Sequence, residues 1–163
     1  MDKTGRSEFK RKFLIDGLPP PLTPASRHIQ IFDNYLLGTN LRLRKMREPY
    51  ENRWTFILQR ILFVDNAMRV AEIYLDDTEV SLFQGLEGGE IRKNRYFHEF
   101  DMSSVVFDVY LGDLSGLVTA QVPFEAEDRM TGFVPPPFCK IEITNEPSYR
   151  EAQLVGRSFA DLI

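Results

Sequence analysis

The sequence predicts an α+β protein dominated by about eight mostly antiparallel β-strands, with a few short helices. Three observations predict it. Segments of alternating apolar and polar residues recur along the chain, punctuated by Gly, Pro, Asp and Asn turns. Strands and helices do not alternate strictly, so parallel βαβ units are not indicated. Four separate strands carry one apolar and one charged face. The 163 residues suit a single domain spanning 1–163, long enough to bury a core without disulfide staples.

Phe9, Arg11 and Phe13 alternate with Glu8, Lys10 and Lys12 in the first strand, which Asp16-Gly17 and Pro19-Pro20-Pro21 end. Residues 22–28 are a short connection. Ile29 to Leu36 is the second strand, Gly38-Thr39-Asn40 a turn, and Leu41 to Lys45 the third. A polar turn over Glu48 to Asn52 precedes the fourth, Trp54 to Leu62, and Asp65-Asn66 leads into the fifth, Met68 to Tyr74. Asp76-Asp77-Thr78 starts a helix with an acidic first turn. Val80, Leu82, Phe83 and Leu86 form its apolar stripe, and Gly88-Gly89 its stop. Glu90 to Phe97 is a strand, His98 to Asp101 a turn, and Val105 to Leu111 the next strand. Gly112 to Ser115 is a hairpin loop that returns as Leu117 to Phe124. Glu125 to Gly132 reads as a short helix, Ile141 to Thr144 as a brief extended piece, and Pro147 to Ala160 as a closing helix. Trp54 and the 13 Phe residues are expected in the core.

Composition narrows the function classes. A net charge of −4 does not suit a general nucleic-acid surface. No stretch approaches ~18 apolar residues, so no membrane span is expected. No apolar run of signal-peptide length follows Met1, and a cytoplasmic location is expected. Cys139 stands alone and reads as a small apolar filler. His28 and His98 lack metal-ligand spacing, and neither a P-loop nor a G-x-G-x-x-G is present.

Side chains two apart on a strand share a face. Glu8, Lys10 and Lys12 therefore lie together, as do Arg42 with Arg44 and Lys93 with Arg95, while Asp108 shares its face with Val106 and Tyr110. A sheet with one solvent side is the plain reading of each strand. The sign bias argues for more, because Lys and Arg dominate this face in an acidic chain, and like charges on neighbouring strands repel unless an anion lies between them. If the sheet closes, that face becomes a lumen needing a polyanion, water or carboxylates.

In order, the chain carries Glu8-Phe9-Lys10-Arg11-Lys12-Phe13-Leu14, Asp33-Asn34-Tyr35-Leu36, Leu41-Arg42-Leu43-Arg44, Lys93-Asn94-Arg95-Tyr96 and Phe107-Asp108-Val109-Tyr110. Gly112, Leu114 and Gly116-Leu117-Val118 follow, then Pro135-Pro136-Pro137-Phe138, Glu142-Ile143-Thr144 and Pro147-Ser148-Tyr149. This series resembles the CYTH superfamily of triphosphate-tunnel proteins, which includes inorganic and thiamine triphosphatases and CyaB-type adenylate cyclase. The resemblance implies a closed antiparallel β-barrel whose lumen holds a triphosphate and a divalent metal. It implies phosphate binding by Lys10, Lys12, Arg42, Arg44, Arg69, Lys93 and Arg95, and metal binding, if any, by Glu8 and Asp108. The departures are as informative. Lys10 stands where the family has a second Glu, Gln121 and Pro123 where it has a second E-x-E, and Gln59 where it often has a Lys. Glu72 falls near a family Glu, but its parity conflicts with Arg69 unless the strand bulges.

Triphosphate hydrolysis needs the transferring group's charge neutralised and a water held in line. Oxygen ligands hold the metal that does so. The expected lumen has seven cations against Glu8 and Asp108, about +5 in a chain of −4. A lysine about 4 Å from a divalent ion, at an effective dielectric near 20, costs about 8 kcal/mol before relaxation. The expectation is a tunnel that binds a phosphate-rich anion, a triphosphate or nucleotide, with weak or no metal-dependent catalysis. Its catalytic residues are not assignable, and Mg or Mn enters only if the family activity is kept. One alternative is an active metal-dependent triphosphatase that draws ligands from Glu72, Glu142 or Asp65. Another is a structural or interaction domain that binds nothing. The expected partner is a small phosphate-rich molecule, with no nucleic acid and no membrane; a homodimer is open by resemblance.

Overall fold

The computed structural model describes residues 5–162. The expectation of no leader rests also on residues 1–4, which lie outside the described residues. Alternation builds nine strands: β1 (Arg6–Ile15), β2 (His28–Leu36), β3 (Leu41–Glu48), β4 (Arg53–Val64), β5 (Ala67–Leu75), β6 (Gly88–Phe100), β7 (Ser103–Tyr110), β8 (Val118–Phe124) and β9 (Ile141–Glu142). They form one sheet in the order β5-β4-β3-β2-β6-β7-β8-β1-β9, antiparallel in each described pairing. β1 closes it. Its Arg6, Ser7 and Glu8 pair with β5, while Phe9 to Ile15 pair with β8 on the other edge. Eight strands thus make a barrel, and the two-residue β9 lies along β1 beyond the seam.

Two hairpins turn on consecutive residues at positive φ, Asp65-Asn66 (50° and 65°) and Asp101-Met102 (48° and 65°). That backbone matches the right-handed twist of the flanking strands. The second turn corrects the expected one at His98 to Asp101. β6 continues through Phe100, whose ring packs on Phe107 and Phe138 at 5.8 and 5.0 Å between centroids.

The helical readings need more revision. Asp76 caps α1 (Asp77–Ser81) with a full capping box to Glu79, as its acidic start suggests. The helix lasts five residues, and of its apolar stripe Val80 is buried while Leu82 stays 75% exposed. Gly88-Gly89 opens β6 instead of stopping the helix. Gly89 is needed there because a Cβ would sit 1.9 Å from Val155 Cγ1. Glu125 to Gly132 contains one 3-10 turn, Glu127–Arg129. The expected closing helix is split into a 3-10 turn at Pro147–Tyr149, α2 (Glu151–Leu154) and a second 3-10 turn at Phe159–Leu162. Gly156 at φ +77° interrupts it.

On β1, β6, β7 and β8 the outward apolar faces are covered by loops. Ile15, Tyr96, Val105, Phe107, Val118, Ala120 and Val122 form one buried cluster beneath Leu18, Leu22, Phe133 and Phe138. A second cluster, Ile91, Tyr110, Leu114, Leu117 and Leu154 against Tyr149, Val155 and Phe159, lies on the lumen side at one end of the barrel, where Ile91 and Tyr110 share the strand faces of Lys93 and Asp108. Trp54 is not core as expected: it is 43% exposed and stacks on Phe56. Arg11 ties the segment before β9 to β1, donating to both Glu142 carboxylate oxygens and to the carbonyls of Met130 and Phe133. Among the described residues, no helix is long and apolar enough to cross a membrane.

Candidate functional site

The inward strand faces line a chamber of about 850 Å³, in which charged and polar side chains meet apolar ones such as Met46, Ile57, Val70 and Val106. β1 contributes Glu8, Lys10 and Lys12; β3 contributes Arg42 and Arg44; β6 contributes Lys93 and Arg95. Gln59, Glu72, Gln121 and Pro123 join from β4, β5 and β8. Six of the seven expected phosphate-binding residues therefore share one space. Arg69 does not. Pairing between β4 and β5 runs without a bulge, Val70 and Glu72 line the chamber, and alternation turns Arg69 to the outer face. There its Nη2 donates to the Gly5 carbonyl at 3.4 Å. The parity conflict resolves in favour of Glu72.

Three ion-pair groups organise the lumen. Arg44 grips fully buried Asp33 with Nε and Nη2, both at 2.8 Å. Arg95 grips fully buried Asp108 at 2.7 and 2.9 Å, and Lys93 Nζ and Gln121 Nε2 approach the same carboxylate at 3.1 and 3.0 Å. Near the seam, Arg6 bridges Glu72 at 2.9 Å and Glu8 at 3.1 Å, and Gln59 donates to Glu72 at 2.9 Å. Burial would raise the Asp108 pKa, but Arg95 and Lys93 overcome it and hold that carboxylate well below its usual range. Burial would lower the Arg44 pKa, and Asp33 more than reverses this.

Lys10 and Lys12 are different. Both line the chamber, and neither ammonium has a carboxylate at ion-pair distance among the described residues. Burial, then Lys12, lowers the Lys10 pKa from 10.5 to about 7. Burial, then Lys93, lowers that of Lys12 to about 8.

The chamber also holds a carboxylate that sequence reasoning missed. Glu151, on α2, accepts from Tyr35 Oη at 2.7 Å and Tyr110 Oη at 2.9 Å, pairs with Lys93 Nζ, and lies 3.7 Å from Arg42 Nη1. Burial opposes its charge, but Lys93, then a side-chain interaction with Asp33 and then Arg42 keep its pKa well below the ordinary carboxylate value. Tyr35 and Tyr110 are raised well above theirs, by burial and then by Glu151. Period-two alternation does place Asp33 and Tyr35 on one face of β2. No such signal existed for Glu151, because the face of a four-residue helix follows from its seat.

A divalent ion requires oxygen ligands free to turn toward it. Glu8 and Glu72 are engaged by Arg6, Asp108 by Arg95 and Lys93, and Glu151 by Lys93 and two phenols. The three departures from the family acids sit together: Lys10 is the cross-strand partner of Pro123, and Lys12 that of Gln121. This donor set does not fit a divalent metal, and no group of three or more His, Cys, Asp or Glu among the described residues is placed to hold one.

Fold and site define a cation-lined β-tunnel protein. The chain is 34% identical over 152 residues to an inorganic triphosphatase of Nitrosomonas europaea, a match covering 91% of this chain and 96% of that one. It belongs to the same family, the CYTH-type triphosphate-tunnel proteins. A solved inorganic triphosphatase structure superposes with a TM-score of 0.63 at 24% identity, covering 93% of this chain and 96% of that chain. A conserved hypothetical protein of Pyrococcus furiosus gives 0.50 at 16% identity, covering 76% and 83%. No family model matches the chain.

Proposed function

We propose that the tunnel binds a phosphate-rich anion, a triphosphate or a related polyphosphate, without efficient metal-dependent turnover. The observation that supports this is the pair Lys10 and Lys12, two chamber-facing ammonium groups without carboxylate partners among the described residues. Lys93, Arg42 and Arg95 surround the same space and supply further positive potential. Phosphate oxygens would satisfy the unpaired ammoniums and offset their desolvation. Arg44 is committed to Asp33 and holds the wall; Arg69, on the outer face, takes no part. Turnover is disfavoured because lysine at position 10 replaces a family carboxylate, and the remaining acids are engaged by cations. Calorimetric titration with tripolyphosphate in EDTA is expected to show binding that weakens with salt. Phosphate release is expected to stay near background when Mg²⁺ or Mn²⁺ is added. Fast metal-stimulated release would refute this reading.

A second reading is metal-dependent triphosphate hydrolysis. It is favoured by the name of the Nitrosomonas relative and by Glu8 and Glu72, which both face the chamber. It requires Arg6 to release both carboxylates. Tripolyphosphate binding that appears only with Mn²⁺ would support it over the first.

A further inference from the structure

Glu151 presents the chamber with an anion of its own. Its two oxygens collect two phenolic hydroxyls, one lysine and the edge of one arginine. Such a set of converging, charge-assisted donors is what a phosphoryl oxygen pair would need. The side chain is 9% exposed, so it is not a rim residue that solvent could replace. It enters on α2, a four-residue helix without a side-chain cap, seated by Leu154 in an apolar cluster and by Val155 over Gly89. Lys10 and Lys12 lie on β1 in the same chamber and have no carboxylate partner among the described residues.

Building on the proposed anion site, we infer that Glu151 is a specificity-determining residue whose carboxylate fills the place of one phosphoryl group and so limits the phosphate chain the tunnel accepts. Short anions use Lys10 and Lys12 and leave Glu151 in place. A longer chain reaches the Lys93–Arg42–Tyr35–Tyr110 donors only by displacing that carboxylate, and α2 with it. The coupling is competitive: the free energy that holds Glu151 on its donors is subtracted from the affinity for the longer ligand.

The test compares the wild-type chain with Glu151→Gln, which keeps hydrogen-bond acceptance and removes the charge. Each is titrated with phosphate, pyrophosphate and tripolyphosphate in EDTA. Glu151→Gln is expected to gain at least about tenfold in tripolyphosphate affinity and less than about threefold for phosphate. Without ligand it is expected to melt lower than wild type and to be rescued by tripolyphosphate. An equal gain for all three anions, or no gain, overturns the inference while leaving the anion-binding reading intact. Failure of both proteins to bind any anion overturns both. If the variant does not fold, amide exchange on the wild type decides. Saturating tripolyphosphate is expected to speed exchange across residues 149–155, and phosphate is not; unchanged exchange with tripolyphosphate bound sinks the idea.

Discussion

Burial in this chamber disfavours the charge on Lys10 and Lys12, and repulsion adds to it, from Lys12 on Lys10 and from Lys93 on Lys12. Lys10 falls to about 7 and Lys12 to about 8, both from 10.5. A lysine lowered in the folded state binds fewer protons there than in the unfolded chain between about pH 7 and pH 10.5. Anion-free stability from these groups therefore rises with pH through that window, and their penalty is fully present below it. Anion binding has the opposite slope, since it needs the charged forms. Affinity for tripolyphosphate is expected to fall by about tenfold or more from pH 6 to pH 9, with proton uptake on binding near neutrality. Titration in buffers of different ionisation enthalpy measures both. Lys10→Gln should stabilise the anion-free protein at pH 6 by about 1–2 kcal/mol, a figure reduced for water in the chamber. A flat pH profile for binding would show that neither lysine meets the anion.

At the level of elements, α2 depends on an opening in β6. A methyl group at position 89 would meet Val155 Cγ1 at 1.9 Å, so the terminal segment must lift or distort. Gly89→Ala is expected to cost about 1–3 kcal/mol and to raise amide exchange across residues 149–155, with the barrel strands unchanged. Wild-type exchange there would mean that Val155 does not hold the segment down. The same element marks the limit of what the sequence displays. Strand faces were legible because period-two alternation assigns Lys10, Lys12, Arg42, Arg44, Lys93 and Arg95 to one side without knowledge of their neighbours. Asp65-Asn66 was legible because Asn and Asp tolerate the backbone of a tight hairpin. Between Arg69 and Glu72 alternation alone does not choose, and the unbulged β4–β5 ladder gives the lumen to Glu72. Glu151 stayed hidden because Pro147 to Ala160 has helical composition, while the Gly156 break and the apolar seat of Leu154 decide its path.

For the molecule as a whole, the proposed weakness in metal binding is traced to one patch of the barrel wall. Positions 10, 121 and 123 lie on adjoining strands, with Lys10 facing Pro123 and Lys12 facing Gln121 across the ladder. Residues diagonal across such a pair come within about 7–8 Å. Lys10→Glu combined with Gln121→Glu should therefore restore a local acid pair, and Mn²⁺ affinity in the presence of tripolyphosphate is expected to rise at least about tenfold. Unchanged Mn²⁺ titration curves for the double variant would place the defect elsewhere.

The way β1 seals the barrel sets an order of events during synthesis. Among the described residues β1 has three residue pairs with β5, and its seven-residue partner, β8, is translated far later. Until Val118 to Phe124 emerges, β2 to β7 can form only an open sheet with raw edges, the kind of surface that chaperones shield. An open sheet of that kind leaves the lumen face of Asp108, Lys93 and Arg95 accessible to water, and these groups are expected to stay hydrated until closure. Their dehydration is deferred to the closing step, when the guanidinium and ammonium groups that compensate it are already in place.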